Sequence, residues 1–258
     1  AARHLAPHGV TSRGTAVEFD RAATQADLVI LTGRVIPHYF AGFGGGRKAL
    51  LPGIAARATI VQNHRLTLAP ERGLHPAVRC ASLRGNPVHE DMVEAARRVA
   101  NTFVLNTLLD ERHRLVAAVA GELEAAHGEG CRLAGDWLCL RVDRPFDAMV
   151  SSAGGWPYDC DYVQALKTAF NVCGAVREGG ALLWVAEATH GIKPSFLQWT
   201  HVTDDEELDA AVRARYDLSG HNSILLRQLT RRLRVALLSA LPDAQVAALG
   251  LTPVHSLA

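Results

Sequence analysis

The 258-residue sequence has few cysteines, and their spacing excludes two classes of cysteine-rich protein. A disulfide framework or a zinc knuckle needs closely spaced pairs, and no Cys-x-x-Cys pair occurs in this sequence. We therefore expect reduced, buried thiols. The five cysteines are Cys80, Cys131, Cys139, Cys160 and Cys173.

The sequence also lacks long apolar segments and an excess of charge of either sign. It has no run of about eighteen apolar residues and no basic leader before an apolar stretch, so we expect a soluble cytoplasmic protein. The formal net charge of +1 indicates no electrostatic preference for nucleic acid or membranes. With 48% hydrophobic residues, the chain can bury one large core or two modest ones.

What the sequence does have is a glycine-rich stretch, residues 33–48, directly after a short apolar run at 27–31. That run is typical of a buried strand in a parallel sheet. Ligands of such sheets bind at the carboxyl ends of the strands, where the glycine-rich stretch would lie. It carries a side chain for proton transfer, His38, and a potential nucleophile, Lys48, with little bulk around them. The combination predicts an active-site loop.

Two common glycine-loop motifs do not fit this stretch. A Walker A loop counted from Gly42 meets Arg47 at its second glycine and Ala49 in place of the hydroxyl residue. A dinucleotide fingerprint counted from the same glycine also meets Arg47 at its third glycine. A surface turn with a solvated Arg47–Lys48 pair is the structural alternative. The presence of His38, Lys48 and His64 in one region favours chemistry instead.

Four short segments carry a resemblance to a known family. They are Pro37-His38-Tyr39-Phe40-Ala41-Gly42-Phe43, Gly45-Gly46-Arg47-Lys48, Leu51-Pro52-Gly53 and Asn63-His64. Together they resemble the nickel-dependent lactate racemase family, the LarA-like racemases and epimerases of 2-hydroxyacids. In that family the lysine carries a covalent pyridinium-3,5-bisthiocarboxylic acid mononucleotide-type cofactor, whose arms hold nickel in a pincer.

The resemblance implies a role for four residues of this region. Lys48 would be the attachment point of the cofactor, and Phe40 would lie against its pyridinium ring. His64 would be the protein ligand to nickel, which imidazole suits. His38 would be a catalytic acid or base.

A second candidate cluster lies on a helix in a predicted βαβ unit. Gln164 and Lys167 are three residues apart and therefore share one face of this helix. A surface pair between Asp161 and Lys167 is the structural alternative. The resemblance implies that Gln164 and Lys167 hold the substrate carboxylate, for which an ammonium and an amide are suitable donors. Val163 stands where the family often has a tyrosine, which leaves the hydroxyacid open.

The periodicity and turn signals predict an α/β protein with two domains and mainly parallel sheets. Residues 1–140 would be the cofactor-binding domain, 141–144 a linker, and 145–258 a C-terminal α/β domain. Predicted helices are 55–66, 86–98, 121–133, 159–176, 219–229 and 244–249. Predicted strands are 27–31, 103–109, 115–120, 147–152, 181–186 and 233–239, and residues 1–9 are expected to be irregular.

The resemblance implies racemisation of a 2-hydroxyacid such as lactate through a ketoacid, by abstraction of a proton and a hydride. A small hydroxyacid and the cofactor-making proteins would be its partners. Two alternatives stay open. One is epimerisation of another hydroxyacid or sugar acid with the same cofactor, and the other is a non-catalytic protein that binds the nickel cofactor.

Two family features have no counterpart in this sequence. They are an Asp-Asp-x-Thr-Arg-Pro-like element that grips the cofactor phosphate and a second catalytic histidine. The resemblance therefore implies an N-terminally incomplete first domain. We expect the 258-residue chain alone to be inactive.

Overall fold

A computed structural model describes residues 4–256, which form two compact units. The first unit contains the described residues up to 69 and His75–Leu140, and the second contains Pro70–Leu74 and the described residues from 141 onwards. Residues 70–74, which the sequence assigns to the first domain, thus lie in the second unit. The outer ends of the predicted domains, 1–3 and 257–258, fall outside the described residues. Both units combine helices and sheets, as the predicted α/β class requires.

The first unit consists of strands, four helices and a short 3-10 turn at Gly46–Ala49. In chain order its elements are β1 (Leu5–Val10), β2 (Ala16–Asp20), α1 (Arg21–Thr24), β3 (Val29–Arg34), β4 (Pro37–His38), β5 (Gly42–Phe43), α2 (Arg57–Arg65), α3 (Pro87–Ala96), β6 (Thr102–Leu109), β7 (Leu115–Gly121) and α4 (Leu123–Leu138). β1 and β2 form an antiparallel hairpin, so the expectation of an irregular segment at 1–9 is wrong for its described part.

The main sheet of the first unit has the order β3-β6-β7, with β3 parallel and β7 antiparallel to β6. α4 packs against β6 and β7 and covers one face. Leu31 on that face is 3% exposed, whereas Ile30 on the opposite face is 54% exposed. The prediction of a buried strand at 27–31 is therefore wrong for most of its side chains, because only Leu31 is buried and Asp27, Leu28 and Ile30 are exposed. β3 lies at an edge of this sheet within the described residues, and only one of its faces is covered.

The second unit is built around a fully parallel sheet with the order β11-β10-β9-β8. In chain order its elements are β8 (Phe146–Ser152), α5 (Tyr162–Val172), β9 (Val176–Val185), α6 (Pro194–Leu197), α7 (Asp205–Ala214), α8 (Gly220–Arg232), β10 (Arg234–Leu238), α9 (Asp243–Ala248) and β11 (Thr252–Val254). α5 packs against β8, and α8 packs against β9 and β10. The predicted βαβ unit is present as β8, α5 and β9.

Helix starts follow the capping residues of the sequence. The Asn86 side chain accepts hydrogen bonds from the main-chain N–H groups of Val88 and His89, and Pro87 occupies the first turn of α3. The Asp161 carboxylate caps α5 by accepting from the N–H of Gln164 at 2.9 Å. The second cap fixes the first turn of the helix that carries the candidate carboxylate-binding residues.

All five cysteines are free thiols. Cys131 is buried in a core cluster of the first unit, whereas the other four are partly exposed. The expectation of buried thiols is therefore wrong for those four. Among residues 4–256, no helix is both long and apolar enough to cross a membrane.

Candidate active site

The glycine-rich stretch forms a tight hairpin in the first unit. His38 on β4 pairs with Gly42 on β5, so the three residues between them form the tip. Gly42 has a φ of +75°, and a Cβ there would lie 2.2 Å from the carbonyl oxygen of Ser82. Only glycine meets both conditions. The side-chain amide of Asn86 donates to the carbonyl of Phe40 at 2.8 Å and ties the tip to the start of α3.

Phe40 at this tip lies at the centre of the predicted site residues. Its ring centroid is 4.6 Å from that of His38 and 4.9 Å from that of His64. The ammonium of Lys48 lies 5.6 Å from the centroid of the same ring. The structure thus brings together the four residues that the sequence singles out in the first unit. Two imidazoles and one amine around an aromatic ring can transfer protons, ligate a metal and form a covalent bond.

The position of His38 is defined by its own hairpin. The main-chain N–H of Ala41 donates to Nδ1 of His38 at 3.3 Å. In the neutral imidazole this bond places the ring proton on Nε2. His38 is half-buried and stacks on Tyr39 with 5.1 Å between ring centroids.

His64 lies in the last turn of α2, next to the fully buried Asn63. The amide of Asn63 donates to the carbonyl of Val88 at 3.1 Å and to the carboxylate of Asp91 at 2.8 Å. Both acceptors belong to α3. These hydrogen bonds therefore join α2 to α3 directly beside the candidate metal ligand.

Asp91 is a fully buried carboxylate that organises this region. Besides Asn63 it accepts hydrogen bonds from the hydroxyls of Thr11, at 2.5 Å, and Thr15, at 2.8 Å. Buried charge is tolerated only where hydrogen bonds replace water. Asp91 thus joins the β1–β2 turn, α2 and α3. It has no assigned role in the sequence analysis.

Asn106 is a second functional residue that sequence reasoning missed. It is fully buried on β6, and its side chain accepts from the N–H of Gly46 at 2.6 Å and donates to the carbonyl of Leu31 at 3.3 Å. These bonds hold the first residue of the 3-10 turn against the sheet. The available signal was a lone amide within the apolar run of 103–109.

Arg47 contradicts the alternative of a solvated surface turn. Its side chain is 1% exposed, whereas the adjacent Lys48 is half-buried and faces Phe40. The guanidinium donates to the carbonyl of Ala41 at 2.8 Å and lies 2.8 Å from Nε2 of the buried His127. Arg47 thus belongs to the core, whereas Lys48 belongs to the site.

The second candidate cluster lies on α5 in the second unit. The ammonium of Lys167 donates to the side-chain oxygen of Gln164. Burial lowers the pKa of Lys167, and the nearby Asp161 carboxylate partly offsets that shift. Asp161 forms its ion pair with Lys193, at 3.1 Å, so the alternative of an Asp161–Lys167 pair is wrong. Gln164 and Lys167 can present an amide and an ammonium from one helix face to an anionic group.

Two features bear on a metal or an attached group. Within residues 4–256, no group of three or more His, Cys, Asp and Glu side chains is close enough to hold a metal ion by itself. The full sequence has only three lysines among its 27 basic residues, Lys48, Lys167 and Lys193. Two of the three thus occupy predicted site positions.

The fold and the site define a two-unit α/β protein whose reactive side chains lie on a glycine-rich hairpin and at helix ends. A family model described as the lactate racemase N-terminal domain matches residues 1–74. The lactate racemase of Thermoanaerobacterium thermosaccharolyticum is 34% identical over 200 residues, which are 77% of this chain and 46% of that relative. The lactate racemase of Lactiplantibacillus plantarum is 37% identical over 197 residues, or 75% of this chain and 45% of the relative.

Solved structures give the same result. The lactate racemase apoprotein from T. thermosaccharolyticum superposes with a TM-score of 0.88 at 29% identity, covering 98% of this chain and 61% of that one. A Thermotoga maritima protein shares the fold alone, with a TM-score of 0.76 at 16% identity, covering 99% and 70%. The chain belongs to the lactate racemase family. It spans slightly less than half the length of the curated relatives that it matches.

Proposed function

We propose that this chain is part of an enzyme that racemises a small 2-hydroxyacid with a lysine-attached nickel cofactor. The observation that carries the proposal is the arrangement of His38, Lys48 and His64 around the ring of Phe40. This arrangement lies in a chain that is 34% identical to one lactate racemase and 37% identical to another. Those relatives support isomerase chemistry, and the arrangement supports a cofactor.

The donor set fits a pincer-held metal better than a site made of protein ligands alone. A metal site made of protein ligands alone needs several ligands close together. Among the described residues, no site has three or more His, Cys, Asp or Glu side chains close enough to bind one metal ion. A pincer needs from the protein a point of attachment, a flat apolar contact and a remaining ligand. Lys48, Phe40 and His64 would supply these in turn. When bound, the group would supply a hydride acceptor.

The proton and the substrate would be handled by other residues. His38 would exchange the hydroxyl proton through Nε2, which requires the 3.3 Å bond from Ala41 to open so that Nδ1 carries the proton of the neutral ring. The imidazolium formed would then return the proton to the ketone oxygen of the ketoacid. Gln164 and Lys167 would hold the carboxylate and so fix the orientation of the reacting carbon. The cofactor-making proteins would be required partners, because the attached group must come from them.

Substrates other than lactate are a second candidate within the same chemistry. Val163 occupies the position where the family often has a tyrosine, directly before Gln164, and it is half-buried at the start of α5. A smaller side chain at that position leaves more room beside the carboxylate-binding pair. This observation favours a bulkier 2-hydroxyacid or a sugar acid.

The test is a substrate panel on the gene product that contains this chain, coexpressed with the cofactor-making enzymes. Each enantiomer of lactate and of larger 2-hydroxyacids is incubated with the protein, and chiral chromatography follows conversion to the other hand. The Lys48→Ala variant is the matched control. We expect turnover of at least one hydroxyacid that this variant loses. Protein that carries cofactor and nickel but converts no member of the panel would contradict the proposal and favour a binding protein.

A further inference from the structure

A buried cation lies directly beneath the glycine-rich hairpin. The guanidinium of Arg47 reaches the carbonyls of Ala41 at 2.8 Å, Gly45 at 3.4 Å and Gly44 at 3.5 Å. Within residues 4–256 all its hydrogen bonds go to these main-chain oxygens or to His127. The three carbonyls belong to the segment that leads into Lys48. One side chain therefore gathers the backbone on the N-terminal side of the proposed attachment point.

His127 completes this cluster from α4. Its Nε2 lies 2.8 Å from a terminal nitrogen of Arg47 and 2.9 Å from the carbonyl of Gly44. A guanidinium can only donate and a carbonyl can only accept, so Nε2 cannot hydrogen-bond to both; we assign it as the acceptor for Arg47, with the proton of the neutral ring on Nδ1. Burial, and then the charge of Arg47, lower the pKa of His127 to about 4. Burial lowers the pKa of Arg47 only to about 10, so near pH 7 the pair holds a single positive charge.

The fit between the turn and the His127 ring is close. Gly46 has a φ of +51°, and a Cβ there would lie 2.7 Å from the ring of His127. The N–H of the same glycine donates to Asn106. The first residue of the 3-10 turn is thus held between α4 and β6. Arg47 and Lys48 follow it and project in different directions.

We propose that Arg47, with His127 as its acceptor, is the positioning residue that fixes the hairpin so that Lys48 faces Phe40. This inference rests on the proposed function, because it assigns Arg47 to the presentation of the attachment lysine. The bonds leave two different nitrogens of Arg47 and diverge toward separate carbonyls. Lysine offers one point charge in place of this planar fork and cannot make all of them. The required property is the fork as well as the charge.

The experiment compares four variants of the gene product that contains this chain. Arg47→Lys keeps the charge, Arg47→Met removes it at similar length, and His127→Leu removes only the acceptor. Val17→Ala, a core truncation on β2 of the same unit, is the control for general destabilisation. The readouts are the melting temperature, the fraction of Lys48 that carries the cofactor, and the rate of reductive methylation of Lys48 without cofactor. That rate is measured relative to the other two lysines.

We expect both Arg47 variants to lower the cofactor-carrying fraction at least tenfold and to change the relative methylation rate several-fold. Folded His127→Leu should change both in the same direction to a smaller extent. Val17→Ala should leave both at wild-type levels, even where its melting temperature falls as far. Nitrogen NMR of the wild-type protein should show His127 with its proton on Nδ1.

Wild-type values in Arg47→Lys, or in folded His127→Leu, would overturn the inference. So would equal losses in Val17→Ala, because they would reduce the role of Arg47 to general stability. If the wild-type protein acquires no cofactor at Lys48, the proposed function fails by itself. The methylation rate and the tautomer of His127 then still decide the positioning role, because neither measurement needs the cofactor.

Discussion

The side-chain amide of Asn63 donates a 2.8 Å hydrogen bond to the carboxylate of Asp91, 28 positions away in the sequence. Both side chains are fully buried. The bond joins α2 to α3 at the residue directly before His64. The geometry of the candidate metal ligand therefore depends on a carboxylate that does not itself belong to the site.

Replacing Asp91 with Asn should destabilise the first unit and weaken nickel binding together. The amide keeps the shape of the carboxylate. Its NH₂ group, however, is a donor and would face groups that donate hydrogen bonds to the carboxylate. Hydrogen bonds to a charged group contribute about 1.5–3 kcal/mol each, so we expect a loss of about 3 kcal/mol in the free energy of unfolding. Urea denaturation measures that loss, and metal analysis of the cofactor-loaded protein measures nickel.

The Thr15→Val variant is the matched control for Asp91→Asn. It removes one donor to the same carboxylate and leaves the bond from Asn63 in place. We expect a smaller loss of stability and unchanged nickel content. Equal nickel loss in both variants would show that the bond to Asn63 has no special role.

Replacing His64 and replacing His38 should have different effects on nickel content and turnover. His64→Ala should lower the nickel content of the cofactor-loaded protein. His38→Ala should keep nickel and lose roughly 10²–10⁴-fold in turnover, the usual contribution of general acid–base catalysis. Metal analysis and a racemisation assay on the same preparations separate the two effects. Equal nickel loss in both variants would contradict this division of roles.

Substrate binding should weaken at alkaline pH through Lys167. Burial lowers the pKa of this lysine, and only its protonated form attracts a carboxylate. Affinity should therefore fall as the pH rises through the lowered pKa, at a lower pH than for an exposed lysine. The measurement is KM for the hydroxyacid between neutral and alkaline pH. Lys167→Arg should give a higher KM with little dependence on pH in that range, because arginine stays charged. A flat profile in the wild type would exclude Lys167 as the carboxylate ligand.

Neighbouring residues of β3 should respond in opposite ways to substitution. Leu31→Ala removes a side chain that is 3% exposed and should cost about 2–5 kcal/mol. Ile30→Thr changes a side chain that is 54% exposed and should shift stability by no more than about 0.5 kcal/mol. Thermal and urea unfolding of the two variants check this. A large loss in Ile30→Thr would mean that the face of Ile30 is covered in solution.

Local signals in the sequence were sufficient for much of the fold. Asn86 and Pro87 are a typical helix start, and the predicted helix at 86–98 corresponds to α3; the predicted strands at 103–109 and 115–120 correspond to β6 and β7. No helix is predicted at α7 in the sequence analysis, although the sequence carries a signal for one. Asp204 caps this helix, and its first turn contains three acidic residues. The β1–β2 hairpin was missed because its strands carry few of the residues that favour strands.

The candidate site was predictable where a motif defined it and unpredictable where distant residues meet. The motif named His38, Phe40, Lys48 and His64, and the structure places all four together. The burial of Arg47 depends on His127, 80 positions further along the chain. No local pattern reports a contact at that separation.

The central claim is that Lys48 carries the catalytic cofactor, and peptide mass spectrometry of the coexpressed protein tests it most directly. The chain has only three lysines, so each can be read separately in one digest. We expect a covalent adduct on Lys48 only, absent from Lys48→Ala and from protein made without the cofactor-making enzymes. An adduct on Lys167 or Lys193, or no adduct on wild-type protein when a known lactate racemase in the same cells acquires one, would contradict the account.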